Sequence, residues 1–366
     1  MSGIRSLRSL AAVAASLVVT FSLSACAAAN QNDAAQPPFD GNNPGPFAAV
    51  NASASAAFEA EGIEGMGLAI YSREGVKVFE QMYGEFEPNR RVPIASASKI
   101  VSGVTIFRLI DAGQLSLDST TGETLGWTSD KGAITLRQLL SFTSGLPPEN
   151  RCTYRSELTL EDCVNEIAEV GLMTEPATEF DYGSTHLSVA GRMAEVVTGK
   201  AWSEIFAEQT LSTLGLPSDI AYISNPLRPA PTANPLLAGG LIVSMNDYEP
   251  LLHMIFDKGQ WQGRQLITSQ LFDEQAREPY PGVTVGQSPW SERRYGLTAW
   301  LECDTPATGC TSISSPGAFG FTPFIDRDAG YYAILGMNYL NNSASGFGAR
   351  TEQQLKPLIA AAMEQL

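Results

Sequence analysis

Two short apolar runs lie on either side of a turn at residues 73–75, in the stretch GMGLAIYSREGVKVFEQMYG (residues 65–84). Both runs are rich in apolar and β-branched residues, which predicts a β-hairpin. Residues 98–112 are apolar nearly all round, and Gly113 follows at a position typical of a helix C-cap. A helix without a polar face is buried, so this segment is predicted to be a central helix of the fold.

The middle of the chain has the patterns of helices separated by loops. Thr135 is followed three residues later by Gln138, which has the form of a capping box at a helix start. Thr159 begins a similar pattern, and apolar residues at helical spacing predict further helices over residues 184–199 and 241–259.

Strand patterns return late, over residues 294–303, 317–327 and 330–340, and a last helix is predicted over residues 349–365. Strands at both ends of the chain with helices between them predict an α/β fold: one antiparallel sheet built from the two ends, with a mostly helical insertion. A functional site is then expected where the sheet meets the insertion.

The first 26 residues have the three parts of an export signal, which are Arg5 and Arg8, an apolar stretch and a small-residue end. The end, LSAC, resembles the lipobox of bacterial lipoproteins, so Cys26 is expected to carry a lipid that anchors the exported protein to the membrane of the cell envelope. A plain secretory signal is the alternative. Residues 27–50, rich in Ala, Asn, Pro and Gly, are predicted to be a flexible tether.

Residues 51–366 remain for one folded domain, with an α/β lobe over about 51–115 and 290–366 and a helical lobe over about 116–289. The formal net charge of −16 argues against a nucleic-acid partner. The spacing of the cysteines and of the two histidines does not resemble a metal site.

Five cysteines are an odd number for an exported protein, in which thiols are usually paired. Removal of Cys26 leaves Cys152 near Cys163 and Cys303 near Cys310, which are two candidates for local disulfides. Four free thiols are the alternative, which export makes less favourable.

Ser96 and Lys99 stand three residues apart in IASASKI, at the start of the predicted central helix. One helical turn places both side chains on the same face. A serine hydroxyl becomes a nucleophile when a neighbouring base takes its proton, and a lysine serves as that base when burial and nearby positive groups lower its pKa. An ordinary helix start contains the same residues, so this spacing requires support from the rest of the chain.

That support comes from five stretches in order: PIASASKI, ITLRQLLSFTSGLP, FDYGSTHLSVAGRMAEVVTGK, AGGLIVSMNDY and SPGAFGFTPFID. Together they resemble the serine β-lactamase and penicillin-binding-protein superfamily, in particular its branch of class C β-lactamases, esterases and D,D-peptidases. The resemblance covers most of residues 60–360 and implies an acyl-enzyme on Ser96, without metal or cofactor. It also implies that Tyr182 completes the proton relay with Lys99, and that the backbone N–H groups of Ser96 and Ala318 form the oxyanion hole.

Two motifs depart from the family pattern. Ser184 replaces the Asn of the Tyr-x-Asn motif, and Ser315-Pro316-Gly317 replaces Lys-Thr-Gly or His-x-Gly. Ser184, Ser315 and Gly317 are expected to bind substrate, but the cation that attracts a substrate carboxylate is missing. Because Pro316 lacks a backbone N–H, its strand is predicted to be an open edge.

Arg350, at the start of the last helix, is positioned to replace that cation, with a solvated helix-end arginine as the alternative. His186 lies one helical turn after Tyr182 and either lines the cleft or has a supporting or surface role. The two histidines and the lack of a G-x-S-x-G elbow argue against a Ser-His-Asp hydrolase.

The predicted function is therefore hydrolysis of an ester or amide that needs no carboxylate, with specificity set by loops such as 148–160 and 276–294. Two alternatives stay open. One is a β-lactamase or D,D-carboxypeptidase acting on penicillins or cell-wall peptides, and the other is a non-catalytic binding lipoprotein.

Overall fold

The computed structural model describes residues 45–225, 228–340 and 344–366. The predicted signal peptide, Cys26 and most of the predicted tether lie outside the described residues. The α-helices are α1 Ala48–Glu61, α2 Ser98–Asp111, α3 Thr121–Leu125, α4 Ser129–Gly132, α5 Leu136–Leu140, α6 Leu160–Ala168, α7 Thr185–Thr198, α8 Trp202–Phe206, α9 Ser212–Leu214, α10 Met245–Phe256, α11 Ser269–Gln275 and α12 Ala344–Met363.

The strands are short except in the centre of the main sheet. They are β1 Gly65–Ser72, β2 Lys77–Gly84, β3 Val92–Pro93, β4 Glu179–Phe180, β5 Ala221–Tyr222, β6 Leu241–Val243, β7 Gln260–Trp261, β8 Arg264–Gln265, β9 Thr284–Val285, β10 Arg294–Tyr295, β11 Trp300–Leu301, β12 Ser312–Ser314, β13 Thr322–Asp326 and β14 Tyr331–Met337.

The main sheet has seven strands in the order β10-β11-β12-β13-β14-β1-β2, and every neighbouring pair is antiparallel. The first and the last strand regions of the chain meet where β1 pairs with β14, with Met66 opposite Met337 and Ser72 opposite Tyr331. The predicted α/β fold, with one antiparallel sheet built from both chain ends, is confirmed.

Strand β1 is buried on both faces of the sheet. Its successive side chains point to opposite faces, so they belong to two different cores. Leu68 and Ile70 belong to the smaller apolar core, which also contains residues of α1 and α12. Ala69 and Tyr71 belong to the larger core, which extends through α2 and the helical insertion. The sheet therefore separates the terminal helices from the part of the molecule that carries the predicted site residues.

The local signals for helix starts are confirmed. Thr135 accepts a hydrogen bond from the backbone N–H of Gln138, whose side chain accepts one from Thr135 N, and this closes the predicted capping box at α5. Thr159 and Asp162 do the same at α6. The hairpin of β1 and β2 and the central helix α2 are also present as predicted.

Three boundaries differ from the sequence-based expectation. Helix α1 begins at Ala48, inside the predicted tether, because Phe47 and Val50 have apolar partners in the smaller core. Residues 241–243, predicted as helix, form strand β6 between β3 and β5, and α10 begins only after the cap at Ser244. Helix α12 begins at Ala344, earlier than predicted.

The prediction that Pro316 lies on an open edge is wrong. Strand β12 ends at Ser314 and lies inside the sheet, between β11 and β13. Pro316 follows the paired part of the strand, so its missing N–H removes no bond from the ladder. Among the described helices, none combines the length and the apolar content that crossing a membrane requires.

Candidate active site

The N-terminus of α2 presents the predicted nucleophile. Residues Ala95–Ala97 form a 3-10 turn that leads directly into α2, and Ser96 is half-buried within it. Ala95 has a φ of +47°, in the left-handed region that residues other than glycine seldom adopt. A strained residue persists where its surroundings fix it, and such residues cluster at functional sites.

Lys99 lies one turn after Ser96 and points at its hydroxyl. Its Nζ is 3.0 Å from Ser96 Oγ and 2.8 Å from the carbonyl oxygen of Ala238. Burial lowers the pKa of Lys99 from its ordinary value of 10.5 to about 7, whereas the carboxylate of Glu149 opposes this shift. The lysine is therefore within hydrogen-bond reach of the serine and can be neutral near pH 7.

Burial and nearby positive groups were both expected to lower the pKa of Lys99. Burial acts as predicted, but the charged neighbour of Lys99 is an acid rather than the expected positive group. The carbonyl of Ala238 accepts an N–H of either form of the amine, so it holds Nζ in place without requiring a charge.

Tyr182 lies between β4 and α7 and faces the same serine. The side chains of Ser96 and Trp300 interact with its hydroxyl, and both interactions favour ionisation of the phenol. The Tyr182 ring stacks on Trp300, with 5.1 Å between the ring centroids. Lys99 Nζ lies 4.6 Å from the centroid of the Tyr182 ring. Burial raises the pKa of the Tyr182 phenol above its ordinary value of 10, so the phenol keeps its proton at neutral pH.

His186 is buried behind Tyr182 and does not line the cleft. Its Nε2–H donates to the carbonyl oxygen of Asp181 at 2.9 Å, because a carbonyl can only accept, and its Nδ1 therefore accepts from Ser144 Oγ at 2.8 Å. Burial lowers the pKa of His186 to about 4, so the ring is neutral. Its place in the structure is a support for the backbone next to Tyr182.

The third motif contacts the turn that carries the nucleophile. Ser315 Oγ donates to the carbonyl oxygen of Ser96 at 3.2 Å. Gly317 lies so close to this turn that an added Cβ would be 2.1 Å from the carbonyl oxygen of Ile94. Ala318, the second predicted donor of the oxyanion hole, follows Gly317 directly in the chain.

Arg350 is exposed, and its Nη2 is 3.8 Å from a carboxylate oxygen of Glu61 at the end of α1. This exposed pair favours the alternative of a solvated arginine near a helix end. The direction of the side chain depends on the packing of α12 against α1.

Ser184 is buried and bonded to a residue that the sequence analysis did not single out. The backbone N–H of Ser184 donates to Glu149 Oε1 at 3.1 Å, and its hydroxyl donates to the same oxygen at 3.3 Å. Tyr154 Oη donates to Glu149 Oε2 at 3.2 Å. The only signal for Glu149 was its place in loop 148–160, because no motif rule assigns a role to an acid there.

Cys152 is bonded to Cys163, and Cys303 to Cys310. Cys152, in the first disulfide, lies two residues before Tyr154 in the chain. Within the described residues, no group of three or more His, Cys, Asp and Glu side chains is arranged to hold a metal ion.

Comparison with known proteins agrees with this geometry. Residues 50–356 match the family model described as Beta-lactamase. The chain belongs to the beta-lactamase family. This is a family of serine hydrolases.

Two curated members of the beta-lactamase family illustrate the similarity in sequence. Penicillin-binding protein 4 of Amycolatopsis lactamdurans is 30% identical over 139 residues, which are 36% of this chain and 36% of that protein. Protein flp of Staphylococcus aureus (strain MW2) is 26% identical over 136 residues, which are 35% of this chain and 27% of that protein. The matched part spans about a third or less of the length of these relatives.

Two solved structures share the fold of this chain. A penicillin-binding protein homologue from Caulobacter crescentus superposes with a TM-score of 0.69 at 20% identity, over 88% of this chain and 98% of that one. EstCE1, a hydrolase with promiscuous acyltransferase activity, superposes with a TM-score of 0.67 at 20% identity, over 85% of this chain and 97% of that one.

Proposed function

We propose that this protein hydrolyses an ester or amide through an acyl-enzyme on Ser96, with Lys99 as the base and Tyr182 in the proton relay, and that it works as an esterase. The observation that carries the proposal is the 3.0 Å contact of Lys99 Nζ with Ser96 Oγ, made by a lysine whose pKa burial lowers to about 7. A base is most effective when its pKa lies near the working pH.

In the acylation step, neutral Lys99 takes the proton of Ser96 while Oγ attacks the substrate carbonyl carbon. The C–O bond to Oγ forms, and the carbonyl electrons move onto its oxygen. The N–H groups of Ser96 and Ala318 are proposed to donate to this oxyanion, where the negative charge develops. The contact between Ser315 and Ser96 and the close approach of Gly317 to Ile94 support this assignment.

Collapse of the tetrahedral intermediate breaks the bond to the leaving group, which needs a proton. Tyr182 is proposed to supply it, because its raised pKa keeps the phenol protonated and its hydroxyl interacts with the side chain of Ser96. The proton on Lys99 then passes to Tyr182. In deacylation, water loses a proton to the relay and attacks the acyl carbon. The bond between that carbon and Ser96 Oγ then breaks, the carboxylic acid leaves, and Ser96 Oγ regains a proton from the relay.

Esterase activity is favoured over β-lactam hydrolysis by the charges near the site. Ser315 stands where the family has a cation, and Arg350 is paired with Glu61. Glu149 adds a negative charge that acts on both Lys99 and Tyr182. A substrate carboxylate would therefore meet an acid and no fixed cation among these groups.

A β-lactamase or D,D-carboxypeptidase is the second candidate, and its support is the 30% identity to penicillin-binding protein 4. The test is stopped-flow hydrolysis of p-nitrophenyl butyrate beside nitrocefin, with Ser96→Ala and Lys99→Ala. Ester cleavage that both variants lose, with slow nitrocefin turnover, supports the esterase. Fast nitrocefin turnover supports the second candidate, and failure of a fluorophosphonate probe to label Ser96 would support a non-catalytic binding protein.

We further propose that the protein belongs to the class C-like branch and is an exported lipoprotein anchored through Cys26. The two disulfides support export, because such bonds persist in oxidising compartments. Incorporation of a labelled fatty acid into the full chain, compared with Cys26→Ala, tests the anchor. A label that remains in Cys26→Ala would overturn it.

A further inference from the structure

The Glu149 carboxylate is fixed beside the proposed catalytic groups. Its Oε1 accepts from the backbone N–H and the hydroxyl of Ser184, and its Oε2 accepts from Tyr154 Oη. Ser184 is only two residues from Tyr182, and an added Cβ on the intervening Gly183 would lie 2.0 Å from the carbonyl oxygen of Pro148. The segment that carries Glu149 is therefore packed directly on the segment that carries Tyr182.

Glu149 and Lys99 are charged neighbours. Among the described residues, Glu149 is the charged group that acts on the pKa of Lys99, and Lys99 is the charged group that acts on the pKa of Glu149. The acid also acts on the pKa of Tyr182 and of Tyr154. The charge of Glu149 thus acts on the groups of the proposed reaction. Burial raises the pKa of Glu149, whereas the charge of Lys99 and the hydrogen bonds from Tyr154 and Ser184 favour its ionised form.

The proposed mechanism leaves this acid without a counter-charge. Lys99 must be neutral to take the proton of Ser96, so the charge of Glu149 is uncompensated in the form of the enzyme that reacts. Hydrogen bonds from Ser184 and Tyr154 stabilise the carboxylate but add no positive charge. An ammonium group on the substrate would supply one, whereas a substrate carboxylate would add a second negative charge.

We propose that Glu149 determines the specificity of the site, selecting esters or amides that carry a positively charged nitrogen close to the reacting carbonyl and rejecting those that carry a carboxylate. This inference rests on the proposed serine-hydrolase function and names its substrate class. It differs from a purely structural role, in which Glu149 would only accept hydrogen bonds at the start of α7.

A matched pair of substrates isolates the charge. The p-nitrophenyl ester of 4-(trimethylammonio)butyrate carries a fixed cation, and the p-nitrophenyl ester of 5,5-dimethylhexanoate has carbon in place of that nitrogen and is otherwise the same shape. We expect the cationic ester to have a kcat/KM about tenfold higher, as one nearby charge in a partly solvated cleft provides. Added salt should reduce this ratio, because mobile ions screen exposed charges.

Glu149→Gln tests the residue itself, because the amide oxygen of glutamine still accepts from Ser184 while the charge is lost. The control is Glu157→Gln, which removes an exposed carboxylate paired with Arg155 elsewhere in the same loop. Assays at pH 8.5 keep Lys99 neutral in all variants, so differences in its pKa do not enter. Glu149→Gln should bring the ratio to about one, and Glu157→Gln should keep the tenfold ratio.

The outcomes separate this inference from the proposed function. If the wild type hydrolyses the neutral ester and Ser96→Ala does not, the proposed function stands. In that case, a ratio near one in the wild type, or a ratio that Glu149→Gln leaves unchanged, would overturn the inference alone. Equal loss of both esters in Glu149→Gln, with a lowered melting temperature, would assign the residue a structural role and also overturn it. No hydrolysis of either ester by the wild type would count against the proposed function itself.

Discussion

The hydroxyl of Ser315 donates a hydrogen bond to the carbonyl oxygen of Ser96 at 3.2 Å. This bond joins the end of β12 to the turn at the start of α2. Ser315 is buried and Ser96 is half-buried, and the carbonyl would be left without this partner if the hydroxyl were removed. Ser315, at the position where the family has a cation, thus holds the turn that carries Ser96.

Ser315→Ala should therefore destabilise the protein by about 1 kcal/mol, the usual cost of losing one shielded hydrogen bond. The kcat for p-nitrophenyl butyrate should fall several-fold, because the turn that carries Ser96 is less firmly held. Thermal unfolding and steady-state kinetics measure the two effects. The control is Ser116→Ala on the exposed surface, and an effect of equal size in that control would contradict the role given to Ser315.

The pH dependence of hydrolysis reports the state of Lys99. Burial lowers its pKa to about 7, and the neutral amine is the active form, so kcat/KM should rise about tenfold per pH unit below pH 7 and level off above it. In Glu149→Gln this midpoint should move to lower pH, because the carboxylate that favours the charged lysine is gone. A midpoint that rises, or a flat profile in the wild type, would exclude Lys99 as the base.

Gly317 has no room for a side chain. An added Cβ would lie 2.1 Å from the carbonyl oxygen of Ile94, so Gly317→Ala must separate the third motif from the nucleophile turn. A displacement of about 1 Å at a reacting centre can cost a factor of about 100 in rate, and we expect a loss of that order in kcat/KM. Gly171→Ala, where no atom lies within 4 Å of the added Cβ, should retain full activity in the same assay.

A buried carboxyl pair makes stability depend on pH. Burial, followed by the neighbouring carboxylate of Glu302, raises the pKa of Glu352 well above its ordinary value of 4.5, whereas Lys356 and Arg293 outweigh burial at Glu302 and lower its pKa. At pH values between 4.5 and the raised pKa of Glu352, the folded chain holds a proton on Glu352 that the unfolded chain releases. The contribution of Glu352 to stability is therefore complete below pH 4.5 and is lost as the pH rises.

Glu352→Gln removes this titration and keeps a neutral side chain of the same shape. Relative to the wild type, the variant should gain stability from pH 5 to pH 8, by at most about 1.4 kcal/mol per pH unit. Chemical denaturation at several pH values measures the difference, with Glu364→Gln at the exposed end of α12 as the control. A difference that is constant over this range would show that Glu352 is ionised in the folded protein.

The parts of the fold that depend on nearby residues could be predicted from the sequence. The capping boxes at Thr135 and Thr159 need only residues three positions apart, and the β1–β2 hairpin needs only two apolar runs and a turn. Ser96 and Lys99 are one helical turn apart, so their contact also follows from local geometry. These signals do not depend on how distant segments pack.

The remaining features depend on contacts across the chain. Residues 241–243 are a strand because β3 and β5 flank them, although their apolar pattern continues into α10. Arg350 points to Glu61 because α12 packs beside α1. Glu149 reaches Ser184 across 35 positions of sequence, and no local rule connects a loop acid to a helix start at that distance.

The pairing of β1 with β14 has a consequence for the order in which the protein can be made. Strand β1 ends at Ser72, and its partner begins at Tyr331, so the centre of the sheet cannot form until the residues of β14 have been synthesised. Ser315 likewise reaches Ser96 only across 219 positions. Contacts between such distant positions form slowly, and a chain still attached to the ribosome is therefore inert as a hydrolase until its last strands emerge.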